Sequence, residues 1–405
     1  MDPSKTNGQK SLSHVVAVPY PGRGHVNAML SFSDDLAARG LTITVVATEE
    51  WLGLISAAAS DSSPSPSAEN PRFRSIPNVI PSEHVRYADF AGFIDAVFTK
   101  MESPFERLLD RLDPPPDAII ADTFLPWAVA VGNRRGIPVY SLWPMSPSTF
   151  SVFYHFDRLE SDDSEGRADD DLIKCIPEIR AVRYGDLQWL MAIKSTLKRL
   201  LETFLWVPKA KALLLTTYYD LEPGIVDALR SILPISVHPI GPSIPHIKLH
   251  RSDSNYDDYF SWLDSQKDES VLYVSQGSFL STSGPQLDEL VAGVRMSGTA
   301  YIWVARGGDA TRFEGGSHGL VVGWCEQLRV LCHRAVGGFM THCGWNSVLE
   351  GLYAGVPMLT FPLACDQPLN RRLVAEVWGV GIDLLKEAKA SEVVGERRWR
   401  RLSGG

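Results

Sequence analysis

The sequence predicts an α/β protein of two similar domains, each a parallel sheet with helices on its faces. Three observations carry this reading. Short apolar runs alternate with segments of helical periodicity, polar or glycine-bearing turns close those runs, and 405 residues exceed the size at which one hydrophobic core usually splits. Hydrophobic residues at 44% and charged residues at 21% are ordinary for a soluble enzyme.

Residues 14–20 (HVVAVPY) read as a short apolar strand and 21–24 (PGRG) as a turn. Val26, Met29, Leu30 and Leu36 then form the apolar face of a helix that stops at Gly40, and 41–47 (LTITVVA) give the next strand. Strand, helix, strand is a β-α-β unit, which pairs its strands in parallel. Residues 117–128 (DAIIADTFLPWA) hold a buried strand ending in Asp122, and 212–217 (ALLLTT) hold another. The run 238–245 (HPIGPSIP) is rich in breakers and 252–255 are polar, so the linker is expected at 240–256 and the domains at 1–245 and 246–405.

Residues 271–275 (VLYVS) open the second sheet and pass into Gln276, Gly277 and Ser278, while 300–305 give its next strand. Residues 336–340 read as a buried strand and 341–346 as a polar turn. A helix is expected from Ser347, capped by Ser347 with Glu350 three residues on, with Leu349, Leu352 and Tyr353 on its apolar face and Gly355 and Pro357 as its stop. A strand at 358–362, a helix at 369–378 and a strand at 381–384 follow.

The stretch 324–367 concentrates aromatic, imidazole, hydroxyl and carboxylate groups. A strand that runs into a helix through a tight turn leaves backbone N–H groups and the positive end of a helix dipole facing outward, which suits phosphate. His342, Asn346 and Ser347 lie at that end. Trp324 is suited to stack on a base, Glu350 to accept from ribose hydroxyls, and Asp366 with Gln367 to grip a polyhydroxylated group. Nearer the N-terminus, His25 starts a helix just past a strand end, where ligands of open α/β sheets gather. The dipole there disfavours imidazolium, so a neutral, proton-accepting ring fits. A dinucleotide fold is a rival for the same turn, but the third glycine of G-x-G-x-x-G falls on Asn27.

A net charge of −9 argues against nucleic acid as a partner. The polar N-terminus lacks a signal-peptide core and no apolar run reaches membrane length, so a cytosolic protein without membrane partners is expected. Cysteines 175, 325, 332, 343 and 365 show no C-x-x-C pair, which points to reduced thiols rather than a disulfide frame or a metal site. Two low-complexity stretches read as carrying no chemistry: 57–71, rich in Ser, Ala and Pro, and the acidic 157–171, a solvated or disordered loop.

Trp324, Gln327, His333, His342, Gly344, Trp345, Asn346, Ser347, Glu350, Pro362, Asp366 and Gln367 fit one pattern without a gap. The stretch resembles the signature box of plant secondary-product UDP-glycosyltransferases. That resemblance implies a GT-B fold, two Rossmann-like domains with parallel sheets facing across a cleft, the first for the acceptor and the second for the UDP-sugar. It implies that Trp324 stacks on uracil beside Gln327, that Glu350 holds the ribose, that His342, Asn346 and Ser347 bind the diphosphate next to Gly344, and that Trp345, Asp366 and Gln367 contact the sugar. A terminal Gln implies UDP-glucose as donor co-substrate, with no other cofactor and no metal. His333 belongs to the pattern as a structural residue, Glu326 stands where a proline is common, and Ser278 is implied to touch the diphosphate although Gln276 replaces a common Phe.

His25 matches the family's G-x-G-H general base, and Asp122 its orienting carboxylate. The implied reaction is inverting transfer to a small-molecule acceptor in plant secondary metabolism. Members of the family continue past the point where this chain runs KEAKASEVVGERRWRRLSGG, with a last helix that crosses back to the first domain. The alternative expectation is therefore a nucleotide-sugar-binding protein with little or no turnover.

Overall fold

The computed structural model describes residues 14–60, 71–83, 86, 89–161, 168–179, 182–192, 194–250, 258–277, 284–305 and 318–384. Ser278, residues 61–70, residues 162–167 of the acidic run, and the tail from Leu385 lie outside the described residues. The first sheet has seven strands: β1 (His14–Val18), β2 (Thr42–Thr48), β3 (Arg72–Ile76), β4 (Ala118–Asp122), β5 (Val139–Trp143), β6 (Ala212–Leu215) and β7 (Ser236–Pro239). Their order across the sheet is β3-β2-β1-β4-β5-β6-β7. The second has six: β8 (Val271–Ser275), β9 (Ala300–Val304), β10 (Gly319–Val322), β11 (Val336–Thr341), β12 (Met358–Thr360) and β13 (Gly381–Asp383), in the order β10-β9-β8-β11-β12-β13. The chain divides into two compact units, residues 1–142 with 205–213 and residues 143–204 with 214–405.

In the first unit, β1 is buried at every position and pairs in parallel with β2 on one side and β4 on the other. The chain therefore leaves β1 in one direction and returns on its other flank, which makes the C-terminal ends of β1 and β4 a topological switch point. Val18 stands level with Ala121 there. The helix Arg23–Ala38 begins immediately after Gly22, two residues earlier than expected, and buries Val26, Ala28 and Met29. The turn is correspondingly tighter and His25 falls within the first helical turn. Gly40, with φ 89°, closes the helix as the sequence predicts. His14 is a satisfied core histidine, its ring nitrogens 2.7 Å from the Pro114 carbonyl and 2.8 Å from Thr44 Oγ1.

In the second unit, all five pairings of the six-stranded sheet are parallel. Successive side chains of a strand point to opposite faces. Accordingly Tyr273, Ile302 and Phe339 enter one apolar cluster while their neighbours Val274, Trp303 and Met340 enter another. A sheet covered on both faces needs such continuous apolar strands rather than alternating ones. The switch point here lies between β8 and β11, where Ser275 is level with Thr341. The helix expected at 369–378 divides into an α-helix, Gln367–Arg372, and a π-helical turn, Leu373–Val377. Pro368 sits in its first turn, where a missing N–H costs nothing, and so starts the helix two residues early. Of the acidic run, 157–161 belong to the helix Phe156–Ser161 rather than to a loop, and Asp169 is tied by its carbonyl to Gly185 N (2.8 Å) and by its carboxylate to Gln188 Nε2 (2.9 Å). No helix among the described residues is long and apolar enough to cross a membrane.

Candidate functional site

Two groups of side chains stand at the two switch points. In the first unit, His25 Nδ1 lies 2.7 Å from Asp122 Oδ2. The Asp122 side chain is fully buried at 0% exposure and that of His25 is 17% exposed. Asp122 Oδ1 accepts from Phe124 N at 3.0 Å, so the carboxylate is held by its own strand end and cannot swing away. A carboxylate only accepts, so Nδ1 carries the proton and Nε2 is the basic nitrogen of the ring. Tyr20 and Phe124 flank the imidazole with ring centroids at 4.9 and 5.7 Å, which fixes its plane and surrounds it with apolar surface. The expectation from sequence put these residues together, and the structure brings them into hydrogen-bond contact.

In the second unit, β11 runs through His342, Cys343 and Gly344 into the helix Trp345–Ala354. The helix starts at Trp345, not Ser347, and its N-cap is Gly344, without a side-chain cap. The expected capping box is therefore overturned. Cys343 takes a left-handed φ of 66°, which turns the chain sharply enough for the helix to begin two residues sooner. Cys343 is held there by its N–H to Thr341 Oγ1 (3.1 Å) and by its carbonyl, which accepts from Asn370 Nδ2 (3.0 Å). Ser347 and Glu350 are released from capping and serve another purpose. Gln327 Nε2 donates to Ser347 Oγ at 3.0 Å and to Glu350 Oε2, while Gln327 Oε1 accepts from Tyr273 OH at 3.0 Å.

The first intrahelical bond is Val348 N to Gly344 O, 3.0 Å, so the N–H groups of Trp345, Asn346 and Ser347 precede any i−4 partner and mark the positive end of the helix. His342 stands between Gly277 and Gly344, and a Cβ on either glycine would collide with its Nε2. Glycine at both positions is what gives the imidazole room beside the helix start. Glu350 is buried, and burial pushes its carboxyl up to about 7. Tyr353, expected on the apolar face, is 43% exposed, because Leu349 and Val348 already fill that side.

Trp324 is 53% exposed, an unusual cost for a large aromatic ring and the right state for stacking on a planar ligand. The Trp345 indole is buried and donates to Thr216 O at 2.9 Å, so what this residue offers a ligand is its backbone N–H. Gln367 Oε1 accepts from Leu363 N (2.7 Å) and Ala364 N (3.0 Å), which orients its NH2 group, and Asp366 Oδ2 accepts from Asn370 Nδ2 at 2.8 Å. His333 lies 3.1 Å from Asp264 and stays apart from this group as a structural residue. Sequence reasoning missed Tyr273 and Asn370, which carry no motif spacing and act only through tertiary contacts. Cysteines 175, 325, 332, 343 and 365 are all free thiols.

Residues 185–394 match the UDP-glucoronosyl and UDP-glucosyl transferase family, and residues 12–57 match the glycosyltransferase N-terminal domain. UDP-glycosyltransferase 87A2 of Arabidopsis thaliana is 47% identical over 98% of this chain and 87% of its own length. Among solved structures, Medicago truncatula UGT71G1 complexed with UDP-glucose superposes with a TM-score of 0.81 at 25% identity, covering 96% of this chain and 89% of that one. Phytolacca americana UGT2 complexed with UDP-2fluoro-glucose and pterostilbene gives 0.77 at 26% identity, with the same coverages of 96% and 89%.

Proposed function

The chain belongs to the UDP-glycosyltransferase family, a GT-B enzyme using a UDP-sugar donor, and we propose that it transfers glucose from UDP-glucose to a hydroxyl of a small hydrophobic acceptor with inversion. The observation that carries this reading is the 2.7 Å contact between His25 Nδ1 and Asp122, which leaves Nε2 as a base. In the proposed step, Nε2 takes the acceptor's hydroxyl proton while that oxygen attacks the anomeric carbon from the face opposite UDP. The bond from that carbon to the diphosphate oxygen breaks, UDP leaves with the electron pair, and Asp122 stabilises the imidazolium.

The charge on departing UDP meets the start of the helix Trp345–Ala354 with His342 and Ser347, a set of fixed donors of the kind that stabilises developing anions. This reading calls for no metal, since those groups take the cation's role. Trp324 stacks on uracil, Glu350 and Gln327 hold the nucleoside, and Asp366 with Gln367 hold the sugar. Ser278 keeps its proposed place at the diphosphate from the sequence pattern alone. The glucose assignment is supported by the UDP-glucose bound to the Medicago relative, and a phenolic acceptor class by the pterostilbene bound to the Phytolacca relative. We place the functional boundary between residues 245 and 246, in keeping with β7 ending at Pro239 and β8 starting at Val271, and the protein in the cytosol.

Incubation of the purified protein with UDP-glucose and a panel of phenols, alcohols and carboxylic acids, read by mass spectrometry, tests the proposal. A glucoside whose formation is abolished in His25→Ala supports it. Binding of UDP with no product from any acceptor overturns it in favour of a nucleotide-sugar-binding protein without turnover.

A further inference from the structure

Asp186 lies far in sequence from the donor box, yet it is buried against the helix that carries two of its residues. Its Oδ1 accepts from Arg371 Nη2 at 2.7 Å and its Oδ2 from Arg372 Nε at 2.6 Å. The two arginines close the helix Gln367–Arg372, whose first residue is Gln367 and whose N-cap is Asp366. Both ends of this short helix are thus defined. One end presents Asp366 and Gln367, and the other is gripped by a single carboxylate using both oxygens.

The grip is rigid on each side. Arg371 Nη1 also donates to Asp383 of β13 at 2.8 Å, and Arg372 Nη1 to Glu376 at 2.6 Å, so each guanidinium makes one charge-assisted bond to each of two carboxylates. Asp186 is itself fixed, since its Oδ2 accepts from Arg183 N at 3.0 Å and the adjoining Gly185 N–H donates to Asp169 O at 2.8 Å. A helix of two turns or less has little stability of its own, so its position is set by what holds it. Here Asn370 and Gln367 tie its first turn to Cys343 O and to Leu363 N and Ala364 N, and its last turn is held by a buried ion-pair cluster built on a residue outside the donor box.

We propose that Asp186 is a positioning residue for the donor sugar: through Arg371 and Arg372 it fixes the helix that presents Asp366 and Gln367, and so sets the preference among UDP-hexoses. This rests on the reading that Asp366 and Gln367 contact the sugar. Asp186 touches neither nucleotide nor acceptor in this scheme, so its loss acts on the sugar increment of binding alone. Misplacement by about 1 Å is enough to cost up to ~100-fold in a positioned reaction.

The test compares Asp186→Asn with the unmodified protein, by calorimetric titration of UDP and UDP-glucose and by kinetics with UDP-glucose and UDP-galactose. The expected result is an unchanged Kd for UDP, a rise of about 10-fold or more in KM for UDP-glucose, and a comparable shrinkage of the glucose-to-galactose ratio in kcat/KM. Asp186→Glu should recover part of both. Equal weakening of UDP and UDP-glucose, or a lower melting temperature with unchanged sugar preference, overturns the proposal. If Asp186→Asn does not fold, Arg371→Lys, at the more exposed of the two arginines, must show the same split between UDP and UDP-glucose. Gln367→Ala is run in parallel. If it leaves sugar preference untouched, the assignment of Gln367 to the sugar fails, whatever Asp186→Asn does.

Discussion

The proposed place of Glu350 at the ribose ties donor binding to pH in a way that can be measured without turnover. Its carboxyl is buried and pushed up to about 7 by desolvation, with the bond from Gln327 pulling the other way. Ribose hydroxyls donate best to the ionised form, so the competent fraction of the free protein falls as pH drops through 7. At pH 6 about one tenth of the sites are ionised and at pH 8 about nine tenths, and apparent affinity scales with the competent fraction. UDP-glucose should therefore bind roughly 10-fold more weakly at pH 6 than at pH 8. UDP-glucose is the right probe because, unlike UDP, its diphosphate has no proton that titrates in this window. Calorimetric titrations from pH 5.5 to 8.5 give the profile, and Glu350→Gln should flatten it while keeping the hydrogen-bond shape. An affinity that stays level across that range in the unmodified protein, or an identical slope in Glu350→Gln, refutes the assignment of Glu350 to the ribose.

Four further outcomes are expected. His25→Ala should lower kcat by about 10²- to 10⁴-fold with the KM for UDP-glucose little changed, since general-base assistance acts only in the transition state; an equal fall in donor affinity would assign His25 to binding instead. Asp122→Asn places an amide opposite Nδ1, favours the wrong tautomer and should also cost about 10²-fold or more in kcat, with the loss visible across the whole pH profile. Trp324→Ala removes a stacking platform of about 1–3 kcal/mol and should weaken UDP binding by about 5- to 150-fold, against no change if the ring faces only solvent. Glu222, buried and held by Ser148, is likewise raised to about 7 from 4.5. A carboxyl raised by folding stabilises below its unfolded value and loses that contribution as pH rises through its folded one, so about 3 kcal/mol present near pH 4.5 is gone above pH 7. Melting curves of Glu222→Gln should lose that fall in stability between about pH 4.5 and 7, and an unaltered fall would place its cause elsewhere.

Nine of the thirteen strands were readable, most of them as apolar runs between turn residues of the kind a parallel sheet covered on both faces demands, while β3 (RFRSI), β5 (VYSLW), β7 (SVHP) and β10 (GLVV) were not placed, and the exposed, polar β3 and β7 at the two edges of the first sheet carry no such run. For the His25–Asp122 pair the strand pattern showed only that His25 follows one strand and Asp122 ends another, the family resemblance supplied the pairing, and the parallel pairing of β1 with β4 is what brings the two within 2.7 Å. The start of the donor helix was not readable. Ser347 and Glu350 have the spacing of a capping box, and nothing local shows that Gln327, from another helix, claims both side chains. The true N-cap, Gly344, carries no side chain to advertise the role, and the left-handed Cys343 before it is a conformation that its residue type does not suggest.

Asp186 shows the same limit more sharply. Its partners lie 185 and 186 residues along the chain, so no window of sequence contains the interaction, and nothing in the run 369–378 singles out Arg371 and Arg372. What the local pattern conveys is the group that meets the ligand: a nucleobase, a diphosphate and a sugar each need a residue type at a strand end or helix start, and topology fixes those places. What it does not convey is how firmly each group is held. The proposed base, His25, is held by one carboxylate at the end of β4, next to the strand that His25 follows. The helix Gln367–Arg372 is held in part by a carboxylate from a distant segment, and the discrimination between epimeric sugars that we propose for it rests on buried charge pairing that only the folded chain displays.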